Sequence, residues 1–299
     1  MRWLDWFGVS SRRAGRIVLL TGIPRSGTTL ACRLLNRLPD VVALVEALWN
    51  TGILDTTDRE RAARRIERWA RTQWRSTRAT GRGPTGTVAG AATDNLFADA
   101  AGSDGVRPSV VEIRDLPVGK PLSPDYLLAI KHPATFTALI EDLSPRFEIH
   151  AQIRNPLAVL ASWSSADIAL RKGRIPPAEQ FDLHLFRRLA RTDDVLGRQV
   201  RVLEWFFETY RRCVPTERIV RYGEVVATGG RALAQIAPAA ADLTEPLENR
   251  NVNPLYDAEF VQRAAERLLR TSGAIWDFYT RASVENLASA TAVAAARGA

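Results

Sequence analysis

Eight consecutive residues, Gly22-Ile23-Pro24-Arg25-Ser26-Gly27-Thr28-Thr29, carry the clearest chemical signal in the chain. They lie between an apolar run at 16–21 and leucines at helical spacing, Leu30, Leu34, Leu35 and Leu38. A tight turn from a buried strand into a helix aims backbone N–H groups at one point. The helix N-terminus adds partial positive charge there. Ser26, Thr28 and Thr29 contribute hydroxyls and Arg25 a cation. The segment reads as an anion cradle. An ordinary turn needs neither the second glycine, nor the arginine, nor the threonine pair.

Gly22 and Gly27 have the spacing of the triphosphate-binding loop Gly-x4-Gly-Lys-Ser/Thr, but Thr28 stands where that loop has lysine. Triphosphate chemistry also calls for an acid that helps hold Mg²⁺. Glu46 is the only acid at a predicted strand end; the ends after 130 and 153 offer Lys131 and Arg154. Side-chain cations, with no metal, are therefore expected to neutralise the anion, and ATP chemistry is disfavoured.

These residues need a scaffold. The runs 16–21, 41–45, 126–130, 147–153 and 218–222 read as strands. Helices are expected at about 30–38, 58–78, 134–143, from 156 past 163, up to 213 after a polar gap at 171–177, and at 223–236 and 257–280. The alternation predicts an α/β fold: a central parallel sheet of about five strands flanked by helices. Such folds bind ligands beyond the carboxyl ends of their strands. The loop 22–29, Glu46, Lys131-His132, Arg154 and Tyr222 all fall at such ends, so weak separate signals become one site. Residues 79–108, dominated by Gly, Thr, Ala and Ser, read as a long loop or lid. Residues 1–15 read as a polar leader, 244–256 as a polar loop, and the Ala-rich tail from about 284 as frayed.

The 299 residues, 46% hydrophobic and 25% charged, fit one globular domain and exclude collagen-like, disordered and disulfide-stapled chains. No apolar run approaches the roughly 18–20 residues that cross a bilayer, nor a signal-peptide core. The expectation is a cytoplasmic protein without a membrane partner. The formal charge of +8 suits an anionic ligand. The arginines are scattered or lie on helix faces, with no basic block carrying interleaved aromatics, which argues against nucleic acid as partner. Cys32 and Cys213 stand far apart, as free thiols without metal-ligand spacing. Trp163, Trp205, Phe206, Phe207 and Trp276 are expected in the core.

The loop 22–29 resembles the 5′-phosphosulfate loop of sulfotransferases that use 3′-phosphoadenosine-5′-phosphosulfate (PAPS), which commonly reads Pro-Lys/Arg-Ser-Gly-Thr-Thr. Arg154-Asn155-Pro156 through Ser162 resembles their 3′-phosphate motif, an arginine ending a strand and a serine on the next helix. The eight-residue step is about two helical turns, so both side chains can meet one anion. Tyr222 is similar to a tyrosine that lies near the nucleotide in this family. The resemblance spans about 16–50, 126–165 and 216–226; 51–125 matches nothing comparable.

This resemblance, to bacterial small-molecule sulfotransferases with motifs close to those of tyrosylprotein sulfotransferases, implies a P-loop nucleotide-binding-like fold. It implies PAPS as sulfuryl donor, 3′-phosphoadenosine-5′-phosphate (PAP) as product, no metal, and a small-molecule acceptor such as a natural product. The expected donor contacts are Pro24 through Thr29, Arg154, Ser162 and Tyr222, with Arg250 and Asn251 as a lid. Glu46 is the expected base by similarity to the tyrosylprotein enzymes. Lys131 and Arg25 would stabilise developing charge. His132 is the second candidate base, or a substrate contact; Lys131 and His132 are adjacent, so continued strand geometry would send their side chains apart. The variable segment 51–125 is expected to shape the acceptor pocket, with about 165–185. A small-molecule kinase using ATP, and a non-catalytic anion or nucleic-acid binder, are the alternatives.

Overall fold

The computed structural model describes residues 16–49, 51–98, 100–103 and 105–298; the leader read at 1–15 lies outside them. Its strands are β1 (Ile17–Gly22), β2 (Val41–Val45), β3 (Arg82–Val88), β4 (Ala91–Ala92), β5 (Glu112–Pro117), β6 (Leu127–Lys131), β7 (Glu148–Ile153) and β8 (Ile219–Arg221). Five of them form one sheet in the order β2-β6-β1-β7-β8, every pair parallel. This is the expected α/β architecture. Lys131 is level with both Leu20 and Val45, and Gly22 with Gln152, so the carboxyl ends share one edge.

The apolar runs are strands because both of their faces are covered. Leu19, Val42, Leu44 and Leu128 turn to one core, and Val18, Leu20, Val41 and Ala43 to the other. This is the two-residue alternation of a pleated strand.

The described helices are α1 (Thr28–Leu35), α2 (Arg59–Thr80), α3 (Pro133–Ala138), α4 (Ile140–Leu143), α5 (Pro156–Ser164), α6 (Pro176–Glu179), α7 (Leu183–Ala190), α8 (Val195–Cys213), α9 (Tyr222–Ala227), α10 (Ala258–Leu269), α11 (Ile275–Phe278) and α12 (Arg281–Gly298). Buried residues of α1 belong to one core and those of α5 to the other. The chain therefore leaves β1 and β7 on opposite faces, and a crevice opens between their carboxyl ends. Asp58, Asn155, Asp182, Asp194 and Asp257 each accept a hydrogen bond from an N–H in the first turn of the helix that follows. Each such cap stabilises by about 1 kcal/mol. Gly27, which starts α1, offers no side chain for that purpose.

The helix expected at 134–143 divides into α3 and α4, and the one expected at 223–236 ends at Ala227; the structure differs from expectation in five further places. Residues 82–92 are not loop: β3 pairs antiparallel with β4 and β5 in a small second sheet. This strand packs through glycine. A Cβ at Gly83 would stand 3.1 Å from Leu44 Cδ2, and one at Gly86 3.2 Å from the Val45 carbonyl. Close approach to β2, not bulky side chains, holds it in place. The helix expected to run up to 213 divides into α6, α7 and α8, the last two starting at the caps Asp182 and Asp194. The helix expected at 257–280 is α10 and α11, separated by 270–274. The tail expected to fray from about 284 is α12. Val284, Leu287, Ala288 and Thr291 are buried along one side of it, and alanine is the strongest helix former. Tyr222, expected to close a strand, opens α9. Among the described residues no helix is long and apolar enough to cross a membrane.

Candidate active site

Glycine is required twice in the loop after β1. A Cβ on Gly22 would lie 2.6 Å from the Gln152 carbonyl oxygen. Gly27 has φ +89°, and a Cβ there would lie 2.6 Å from Cδ2 of Tyr222. The loop is pinned to β7 and α5. Ile23 N–H and the Ser26 hydroxyl donate to the Gln152 carbonyl at 3.1 and 2.9 Å, and Trp163 Nε1 donates to the Pro24 carbonyl at 2.8 Å. These bonds hold Arg25 at φ +74°, a conformation that costs a non-glycine residue about 1–3 kcal/mol. The first N–H groups of α1 have no partner within the helix by construction, and Gly27 supplies no cap. Unpartnered N–H groups at a helix start, here beside the cavity, are a ready site for an anion. Ser26, expected to serve the ligand, points back into β7 instead.

Arg154, at the end of β7, ties three segments together. Its Nε donates to Asn251 Oδ1 at 2.8 Å and its Nη1 to the Arg25 carbonyl at 3.0 Å. Its Nη2 reaches the Arg250 carbonyl and, at 3.4 Å, the Tyr256 hydroxyl. The guanidinium lies over the Tyr222 ring, 4.7 Å from its centre, and the Tyr222 hydroxyl accepts the Arg250 N–H at 3.0 Å. Arg25 turns its own side chain to Ser162, with Nε donating to Oγ at 3.1 Å, and stacks over Phe97 at 4.5 Å. Its pKa is pushed down to about 10, by burial first and then by Arg107, Arg154 and Arg250. Four arginines thus converge where strands β1 and β7 end.

The second focus lies at the ends of β2 and β6. Glu46 has φ +52°, and its N–H donates to the Lys131 carbonyl at 2.9 Å. Lys131 Nζ meets Glu46 Oε1 at 2.5 Å and Thr29 Oγ1 at 3.4 Å. His132 Nε2 faces Glu46 Oε2 at 3.5 Å. Lys131 and His132 do not diverge as strand geometry would have them. The strand stops at Lys131, and His132 adopts φ −152°, ψ 85° as the residue before α3. Burial pushes Glu46 up, but the positive charge of Lys131 and its hydrogen bond outweigh it and hold the carboxyl below its usual range. Burial holds His132 low and therefore neutral, against the pull of Glu46. Neither of its ring nitrogens has a hydrogen-bond partner within range.

Both foci line one cavity of about 540 Å³, within the range of ligand pockets. Pro24, Arg25, Gly27, Thr28, Thr29, Glu46, Lys131, His132, Arg154, Ser162, Tyr222 and Arg250 line it; Ser26 and Asn251 do not. Residues from within 94–97, 107–111, 168–177 and 246–256 contribute much of the remaining wall, with Trp49 beside His132, ring centres 6.4 Å apart. Sequence reasoning missed Asn95, Phe97, Arg107 and Tyr256. Asn95 accepts from Arg25 Nη1 at 3.2 Å. No local motif marks these residues; they come from the segment read as a loop and from the late polar loop. Among the described residues no three His, Cys, Asp or Glu side chains group as metal ligands.

The sheet order and cavity define an α/β protein with a central parallel sheet and one cavity at the carboxyl ends of its strands. No protein-family model matches the chain, and no curated protein matches it. Among solved structures, it is similar to the sulfotransferase domain of the Synechococcus PCC 7002 olefin synthase. The identity is 10% and the TM-score 0.34, over 93% of this chain and 94% of that one. It is also similar to sulfotransferase STF9 from Mycobacterium avium, with 17% identity and a TM-score of 0.35, over 93% of this chain and 76% of that one.

Proposed function

We propose that the protein transfers a sulfuryl group from PAPS to the hydroxyl of a small-molecule acceptor. One observation carries the reading: Arg154 hydrogen-bonds the backbone of Arg25, so the cradle and the second cationic site are parts of one cavity that a single bis-anionic nucleotide can span. The cradle that a Cβ would fill, and four arginines in mutual range, fit a ligand with anions at both ends. In this reading the α1 amides, Thr28 and Thr29 hold the 5′ group. Arg154, Arg25, Ser162 and the 250–251 segment hold the 3′-phosphate, and Tyr222 supports them from below.

The donor supplies the sulfuryl group. The chain's residues hold the reactants and move the proton. Glu46 takes the acceptor's hydroxyl proton as the acceptor oxygen bonds to sulfur and the bond from sulfur to the 5′-phosphate oxygen breaks; that oxygen leaves with PAP. Lys131 offsets the negative charge that builds there; Arg25, expected to share that role, turns its side chain to Ser162 instead. Residues 94–97 and 107–111, within the segment 51–125 expected to shape the acceptor pocket, would form the acceptor side of the cavity with 168–177. Calorimetry without metal tests the donor assignment. PAP should bind well above AMP, ADP and ATP. Equal binding of all four, or binding of ATP that needs Mg²⁺, would replace it with the kinase reading.

A further inference from the structure

The resting geometry conflicts with the role given to Glu46. A carboxylate clamped at 2.5 Å by a buried ammonium is a weak base, because its charge is already neutralised. Three observations resolve the conflict. Lys131 stands between two anionic destinations: Glu46 on one side and, through Thr29 at 3.4 Å, the first turn of α1 on the other. The two partners differ in freedom. Glu46 is held by backbone, its N–H bonded to the Lys131 carbonyl and its carbonyl accepting from Trp49 N–H at 3.1 Å; the lysine side chain is long and flexible. The second carboxylate oxygen faces His132 at 3.5 Å, beyond hydrogen-bond range, with both imidazole nitrogens unpartnered. Both residues line the cavity, with the imidazole nitrogens themselves sealed from solvent.

We propose that Lys131 is a donor-operated lock, paired with Glu46 while the cradle lacks an anion and drawn toward the cradle when the donor binds, so that Glu46 is armed only in the donor complex. The inference rests on the sulfuryl-transfer reading and adds an order of events to it. The groups that face Glu46 are Lys131 and His132 from β6 and its end, and Cys32 from α1. Cys32 stays a neutral thiol, its pKa pushed up to about 12 by burial. Once Lys131 moves, Glu46 and His132 lose their nearest positive charge, and both bind protons more readily. Filling the cradle must therefore be linked to proton uptake.

The test is a proton count on PAP binding, read by calorimetry in two buffers of different ionisation enthalpy. The nucleotide's phosphates titrate near pH 6 and release protons on entering a cationic site, so wild type is compared with variants. The reference is the double variant Glu46→Gln with Lys131→Met, which removes both charges together and leaves neither partner unpaired. The lock predicts that wild type takes up more protons per PAP than the double variant at about pH 6, and that the difference shrinks toward about pH 8. Glu46→Gln alone should behave like the double variant. Equal proton counts in wild type and double variant, with PAP bound by both, overturn the lock and leave the donor assignment standing. Wild type that does not bind PAP overturns both.

Discussion

Gly27→Ala isolates the joint between the loop 22–29 and Tyr222, where the proposed function places the nucleotide. The new Cβ meets two obstacles. The backbone stays at φ +89°, which costs alanine about 1–2 kcal/mol. The Cβ would also stand 2.6 Å from Tyr222 Cδ2 and 3.1 Å from Gln152 Nε2, and forced overpacking costs about 1–3 kcal/mol. Together they predict about 2–5 kcal/mol of destabilisation, a fall in Tm of roughly 4–10 °C for a chain of this size. The ring cannot yield freely. It carries the Arg154 guanidinium at 4.7 Å, and its hydroxyl accepts from Arg250. Turning it aside moves both cations, so PAP affinity should drop tenfold or more, about 1.4 kcal/mol. Thermal unfolding and PAP calorimetry measure the two effects. Gly223→Ala is the control: its Cβ would touch nothing within 4 Å, and it should stabilise by about 0.4–1 kcal/mol without changing PAP binding. Should Gly27→Ala melt and bind PAP like wild type, the steric argument and the placement of the nucleotide beside Tyr222 both fail.

Glu46→Gln should keep PAP affinity within a few-fold while PAPS consumption with acceptor falls 10²-fold or more, the usual scale for a general base; near-normal turnover would transfer the role to His132. Arg154→Ala should weaken PAP at least tenfold, about 1.4 kcal/mol, but AMP much less, because only PAP carries the 3′-phosphate. Parallel losses for both nucleotides would mean that Arg154 acts solely by holding the 250–251 segment. Acid should destabilise the fold through His132 and His150. Burial lowers both below the ordinary 6.5, so the unfolded chain binds protons that the folded one refuses. Stability is then complete above 6.5 and lost as pH falls below it, by up to about 1.4 kcal/mol per pH unit and histidine. A Tm that stays constant from 6.5 down to about pH 5 would contradict this.

The amino-acid sequence determined the sheet and the positions of the chemistry along it. Continuous apolar runs such as 17–20 and 127–130 have no stable home except between two covering layers, and each hands over to a polar group at its carboxyl end. The turn from β1 into α1 was legible for the same local reason: glycine at two positions and a helix start are adjacent in the chain. Sequence also carried the signals for the helix breaks, in Asp182 and Asp194. It left β3 unreadable, because that strand is held by the closeness that Gly83 and Gly86 permit to β2, a fact about a neighbour 40 residues away. Tertiary structure alone decided how the strand ends face one another. The meeting of Glu46 with Lys131 depends on β2 lying beside β6, and that of Arg25 with Arg154 on β1 lying beside β7. It also decided protonation. A glutamate and a histidine have ordinary affinities for protons in any sequence; burial together beside the Lys131 charge holds both below their usual range.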